Sequence, residues 1–137
     1  MELIVNEVVA RLQSQCSSLR SVADAADMEP IKSARSELPG VFVFLASGSS
    51  PDEPQTTAGR QQVIARYGLN VVVKDQADLK KVFAEIKTAM LDWCPGVPDS
   101  GAVWDTFQFH SVELQAIENG QFWYVQQWRI PFWVSPG

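Results

Sequence analysis

The chain has 137 residues, 46% hydrophobic, 20% charged and 10% aromatic. That is one domain's worth, with enough apolar content to exclude wholesale disorder and to fold without a metal or disulfide. The net charge of −5 disfavours generic nucleic-acid binding, and the longest apolar run, Val41 to Ala46, is far too short to span a bilayer.

The first residues, Met1-Glu2-Leu3-Ile4-Val5-Asn6-Glu7, carry acids where a secretory signal needs a basic start. The expectation is a protein made and assembled in cytoplasm. Residues 2–15 read as an amphipathic helix, with Ile4, Val5, Val8, Val9 and Leu12 on one face. Leu19 to Ala23 reads as a short strand. From Ala23 to Ser36 the pattern is mixed: Ala25, Ala26 and Met28 favour helix, and Pro30 suits the first turn of a second short helix. Leu38-Pro39-Gly40 is a turn.

Val41 to Leu45 is β-branched and aromatic on both alternating faces, which predicts a central strand covered on both sides. Ser47 to Gly59 has no large apolar residue and reads as a long mobile loop. Gln61 to Lys74 alternates as a long strand with one buried and one wetter face. Asp75 can cap the next helix, with Asp78 completing a capping-box-like arrangement. That helix runs from about Gln76 to Leu91 on a stripe of Leu79, Val82, Phe83, Ile86 and Met90. Trp93-Cys94-Pro95-Gly96 ends it. Phe107 to Ile117 is a strand, Glu118-Asn119-Gly120 a hairpin turn, and Phe122 to Val134 the return strand. Pro131 argues that this end of the return strand lies at a sheet edge. The order predicts an α+β fold, a mostly antiparallel sheet with helices packed on one face.

Chemistry is sparse. His110 is the single histidine, and Cys16 and Cys94 have no metal or redox spacing, so both read as reduced, partly buried residues. Asp24, Asp27 and Glu29 are oxygen ligands in type, yet match no calcium loop. Pro51-Asp52 and Glu85-Ile86-Lys87 imitate a nuclease pattern. On a helix, however, Glu85 and Lys87 point roughly 200° apart and cannot converge on one metal. No catalytic, cofactor-binding or metal residue is assigned.

Charge and aromatics are unevenly placed. Residues 1–59 hold eight acids and four bases, residues 60–87 six bases and three acids, and residues 88–137 five acids and only Arg129. Segmental asymmetry of this kind suits contact between unlike patches of identical subunits. The return strand carries Phe122, Tyr124, Trp128, Ile130, Phe132 and Val134 on one face, interrupted only by Gln126. Its second face, with Trp123, Val125, Arg129 and Trp133, is either covered or an interface anchor. Together with Arg60, Arg66, Asp52 and Glu53, these four are the interface candidates.

Several of these segments resemble the phage tail terminator family. They are Val22 with Ala25-Ala26-Asp27-Met28, Leu38-Pro39 leading into Val41 to Leu45, and the long strand with Val71-Val72-Val73. The helix ending Met90-Leu91-Asp92-Trp93-Cys94-Pro95 and the closing Glu118-Asn119-Gly120-Gln121-Phe122-Trp123-Tyr124 hairpin complete the set. Asp92 stands where the family often has glycine. The resemblance covers nearly the whole chain in order. It implies a single α+β domain over residues 1–137, in which the loop read as mobile from its composition spans about residues 47–60. It further implies a hexameric ring on the head-proximal end of a tail tube, which ends tube polymerisation and offers a head-joining surface. Implied partners are other copies of the chain, the tail tube protein and a head–tail connector, with no enzyme activity, cofactor or membrane. Another connector or tail-completion protein, and a small hydrolase using His110, are the alternative readings.

Overall fold

A computed structural model describes residues 4–27, 38–49, 56–57, 60–96, 102–118 and 120–134. The elements, in chain order, are helix α1 (Val5–Gln15), β1 (Ser21–Asp24), β2 (Gly40–Ser49), β3 (Thr56–Thr57), β4 (Arg60–Val73), α2 (Leu79–Met90), β5 (Ala102–Trp104), β6 (Gln108–Glu118) and β7 (Gln121–Val134). Short 3-10 turns at Ala25–Asp27 and Gln76–Asp78 precede β2 and α2. The α+β expectation holds. One seven-stranded sheet runs β1-β2-β4-β7, with β5 and β6 both on the far side of β7 and β3 on β4. Among the described residues only β1 and β2 pair in parallel; every other ladder is antiparallel.

The alternation in the long strands sorts their side chains between two faces. On the helix face, Val41 and Val43 of β2, Ala65, Tyr67, Leu69, Val71 and Val73 of β4, and Trp128, Ile130 and Phe132 of β7 are buried. Ile4, Val8 and Leu12 from the α1 region and Val82, Ile86, Ala89 and Met90 from α2 close over them. Both helices put the predicted stripes inward. The Tyr67 hydroxyl accepts from the Ile4 N–H at 3.2 Å, joining the entry of α1 to the sheet centre. Arg11 lies over the Trp93 ring, 5.3 Å from its centroid, and its Nε donates to the Ala89 carbonyl. Leu38, Phe42 and Val72 form a smaller buried cluster on the opposite face, with Ala23, Ala25 and Trp123 against it. This cluster is why Val41, Phe42 and Val43 are buried on both sides, as a central strand requires.

At the middle of β4, Gly68 faces Phe44 of β2 directly across the ladder. A Cβ on Gly68 would collide with the outer edge of the Phe44 ring. The aromatic ring covers the backbone that glycine leaves bare.

Several expectations are corrected. Asp75 accepts from the Ala77 N–H at 2.9 Å, but Asp78 makes no side-chain cap bond, so there is no capping box. The α-helix begins at Leu79 rather than Gln76 because the Asp75 cap closes a 3-10 turn first. The segment read as loop from Ser47 is strand through Ser49, and Thr56–Thr57 pairs with Gln61 and Arg60. The remainder of that segment, and the second short helix suggested around Pro30, lie outside the described residues.

Pro131 is not at a sheet edge: Ile64 of β4 sits opposite it, and β5 and β6 flank β7 on the other side. Its carbonyl accepts from the Asp105 N–H at 3.0 Å. A strand residue's N–H and C=O point to the same side, so the missing donor falls where the ladder passes from β6 to β5. Phe107 is not in a strand. It is buried between Tyr67, at 5.9 Å edge-on, and Trp93, stacked at 5.6 Å. Cys16 is buried, which pushes its thiol pKa up to about 11 with help from the nearby Glu85 charge, whereas Cys94 is exposed rather than partly buried. Phe83 is half-buried, edge-on to Tyr124 at 5.6 Å, while its neighbour Ile86 is fully buried.

Asp92 follows α2 with φ 61°, and its N–H donates to the Phe107 carbonyl at 3.0 Å. A left-handed backbone favours glycine and tolerates aspartate, which accounts for the departure noted at this position.

Candidate assembly interface

The strand β6 is where burial stops. Its register against β7 shifts twice, between Phe109 and Ser111 and between Leu114 and Ala116. Each bulge adds one residue, so Phe109, Val112, Leu114 and Ile117 all stand opposite helix-face residues of β7: Trp128, Gln126, Tyr124 and Phe122. The helices do not reach this strand. The four side chains are 49%, 41%, 48% and 61% exposed. Between β6 and α2 lies a cleft of about 330 Å³ lined by Phe83, Leu91, Phe109, Val112 and Trp128, with Lys87 and Gln126 its polar members. Gln126, the one polar residue on that face of β7, is buried and accepts from the Trp128 indole N–H at 3.0 Å. An apolar stripe on an edge strand, continuous with an apolar cleft, is the kind of surface on which protein–protein contacts are built.

Sequence reasoning missed this stripe. Its spacing of three, two and three residues hides the period of two, and only the bulges restore it. Four of the candidates read from sequence lie on the opposite face. Trp123, Val125, Arg129 and Trp133 do share that face and are all half-buried. Trp123 belongs to the small cluster with Phe42 and Val72. Arg129 sits directly opposite Arg66, with Ser47 beyond Arg66 and Gln108 beyond Arg129. Two arginines side by side across a ladder repel. The structure thus brings Arg66 and Arg129 together and separates both from the apolar stripe. Arg60 is in β4 beyond them, paired with Thr57, and Asp52 and Glu53 lie outside the described residues.

A third feature is polar. At the end of the sheet where β1 and β2 begin, Ser17, Ser18, Arg20, Lys74, Asp78 and Lys81 surround an open cleft of about 480 Å³. Arg20, Lys74 and Lys81 are exposed. Beside it, the Ser18 hydroxyl and N–H both donate to the Glu85 carboxylate, the N–H at 2.9 Å. These bonds, the hydroxyl first, hold the Glu85 carboxyl below its ordinary range against the opposing effect of burial. Glu85 is thereby committed to tying the α1–β1 connection to α2.

Among the described residues, enzyme-like groups do not converge on these surfaces. His110 is exposed at the first bulge of β6. Asp24 caps the Ala26 N–H at 2.9 Å, and Glu29 is outside the described residues. Among the described residues no three His, Cys, Asp or Glu side chains cluster as a metal site.

The sequence profile of the phage tail terminator proteins matches residues 1–135. The chain belongs to the phage tail terminator family. No curated protein sequence matches it. Among solved structures, this tail terminator family member is similar to a chain in the virion of a native gene transfer agent particle. The two superpose with a TM-score of 0.64 at 15% identity, over 92% of this chain and 91% of the other. At that identity the likeness concerns the fold. Family membership makes the chain a structural protein of the phage tail, located in the virion.

Proposed function

We propose that this tail terminator family member forms a ring, of six copies as the family resemblance implies, on the head-proximal end of the tail tube. There it ends tube polymerisation and presents the surface to which the head is joined. Its partners are further copies of itself, the tail tube protein and a head–tail connector; it acts as a scaffold, without catalysis or a cofactor. The chain functions as a single α+β domain, with the segment near residues 47–60 meeting the tube rim or a neighbouring copy.

The observation that carries this reading is the uncovered stripe of Phe109, Val112, Leu114 and Ile117 beside the α2 cleft. Left in water it gains nothing; covered by a neighbour it contributes roughly 25 cal/mol per Å² of apolar surface removed. The two bulges and the twist they impose guard the β6 edge against open-ended strand pairing. That suits a closed assembly better than a fibre. The test is electron microscopy and sedimentation of the pure protein over a wide concentration range, alone and with tubes of its tail tube protein. Rings, free or on one tube end, with tube length held fixed, are the expected outcome. Monomers at every concentration together with bare, unregulated tubes would sink the reading.

A further inference from the structure

Among the described residues the strand order leaves two unlike edges, β1 on one side and β6 on the other. Four strand spacings separate them, roughly 19 Å. One line of paired residues crosses the whole sheet: Ser21, Gly40, Val72, Trp123, Ala116. At the β1 end of that line is the open cleft with Arg20, Lys74 and Lys81 exposed around it, and Asp78 the one acid among its described lining residues. At the β6 end, Glu113 and Glu118 are exposed, three residues before and two after Ala116. Further along the same side, Asp92 and Asp105 are also exposed, with Arg129 opposite Gln108 and Lys87 in the α2 cleft the bases on that flank. Exposed bases at the β1 end of this line and exposed acids at its β6 end thus make two unlike poles, with Asp24, at the far end of β1, the one acid in that strand.

We propose that adjacent copies of this chain meet edge to edge. The Glu113 and Glu118 side of one β6 docks at the Arg20, Lys74 and Lys81 cleft beside the next copy's β1, and the β6 apolar stripe is covered in the same contact. The inference rests on the ring reading and specifies its contact. Unlike poles on opposite edges make a heterologous contact, the kind that closes into a ring; a two-fold contact of β6 with β6 would set acid against acid. The acids and bases set register and encounter rate, and the apolar stripe supplies the burial.

Two charge-reversed variants test it: Glu113→Lys with Glu118→Lys, and Arg20→Glu with Lys81→Glu. All four residues are exposed, so melting temperatures near wild type are expected and are measured first. Each variant alone should need at least about tenfold more protein to form rings, because every contact then sets like charges together. An equimolar mixture should recover wild-type assembly, since alternating copies restore opposite charges at every contact. Raising salt should weaken wild-type rings. If wild-type protein forms no ring, the ring reading itself fails. If wild type forms rings and each variant does so equally well, or if the mixture stays unassembled while both variants remain folded, this contact is wrong though the ring stands. If reversal at the cleft spares rings but abolishes capping of tubes, the cleft receives an acidic surface of the tube protein instead, and the proposal is overturned.

Discussion

The helix side of the sheet divides into a closed part and an open part, and the two are built from the same kinds of residue. Over β2, β4 and β7, α1 and α2 bury Val43, Leu69, Trp128 and Ile130 completely or nearly so. One strand further on, Phe109, Val112, Leu114 and Ile117 face the same way and stay about half exposed. Side-chain chemistry does not distinguish them; the reach of the helix layer does. A helix covers a strip of sheet roughly 10 Å wide, and two helices end their cover at β7. The closed part stabilises the subunit, whereas the open part is a surface whose apolar area is available only to a partner.

Substitutions can break or sharpen that contrast. The largest effect is expected in the closed part: Ile86→Ala should cost about 2–5 kcal/mol, because the site is fully buried beneath α2. Phe83→Ala, on the boundary, should cost distinctly less despite removing more atoms. Urea denaturation of both checks this, and equal losses would erase the boundary drawn here between core and cleft.

Next comes Gly68→Ala, which forces the Phe44 ring from its place on the other face. A loss of about 1–3 kcal/mol is expected. Adding Phe44→Ala should make the Gly68→Ala change nearly neutral; if the double variant loses the full sum, the ring is not the obstacle.

A smaller effect belongs to Ser18→Ala. The Ser18 hydroxyl is the main cause holding the Glu85 carboxyl below its ordinary value of 4.5. A depressed folded value means stability present above 4.5 and lost as pH falls through the lower folded value. The variant should therefore lose about 1 kcal/mol at neutral pH, discounted from a fully buried charged bond because Glu85 is partly exposed. The difference from wild type should shrink through the acid range below 4.5. A constant difference from neutral to acid pH would mean that Ser18 acts on stability by another route than this carboxylate.

Smallest in stability is the pair Leu114→Ser and Ile117→Ser in the open part. Both side chains are already about half exposed or more, so the subunit should lose within about 1 kcal/mol. Assembly, by contrast, should fail. A large loss of stability in the monomer would show that the stripe belongs to the core, and intact rings would remove it from the contact.

Most elements were legible in advance because their signals are local. The stripe Val82, Ile86, Met90 defines α2 wherever it sits, and the alternation from Val63 to Val73 defines β4. Asn119-Gly120 announces the β6–β7 hairpin, and Gly120 indeed has φ 72°. Asp92 is a case in between: the residue was visible as an anomaly, but its left-handed φ of 61° gave the anomaly its meaning.

Pro131 shows where local reasoning fails. A proline lacks one donor, and the sequence says nothing about which neighbour would have received it. Placed at the passage from β6 to β5, it leaves a central strand undisturbed.

By itself, then, the sequence determined the period of each helix and strand, the hairpin turn, the α+β class and the uneven distribution of charge along the chain, since these are set by residues within a few positions of one another. Only the tertiary structure decided that β1 and β6 form opposite edges, that two bulges turn Phe109, Val112, Leu114 and Ile117 to one side, that the helices stop short of them, and that Arg20 joins Lys74 and Lys81. The cleft depends on contacts between residues far apart in the chain, such as Arg20 and Lys74, and the β6 bulges, though their pairs lie within one hairpin, depend on which side of β7 is buried. Such pairings are selected by the burial of the whole sheet, and no window of sequence contains them.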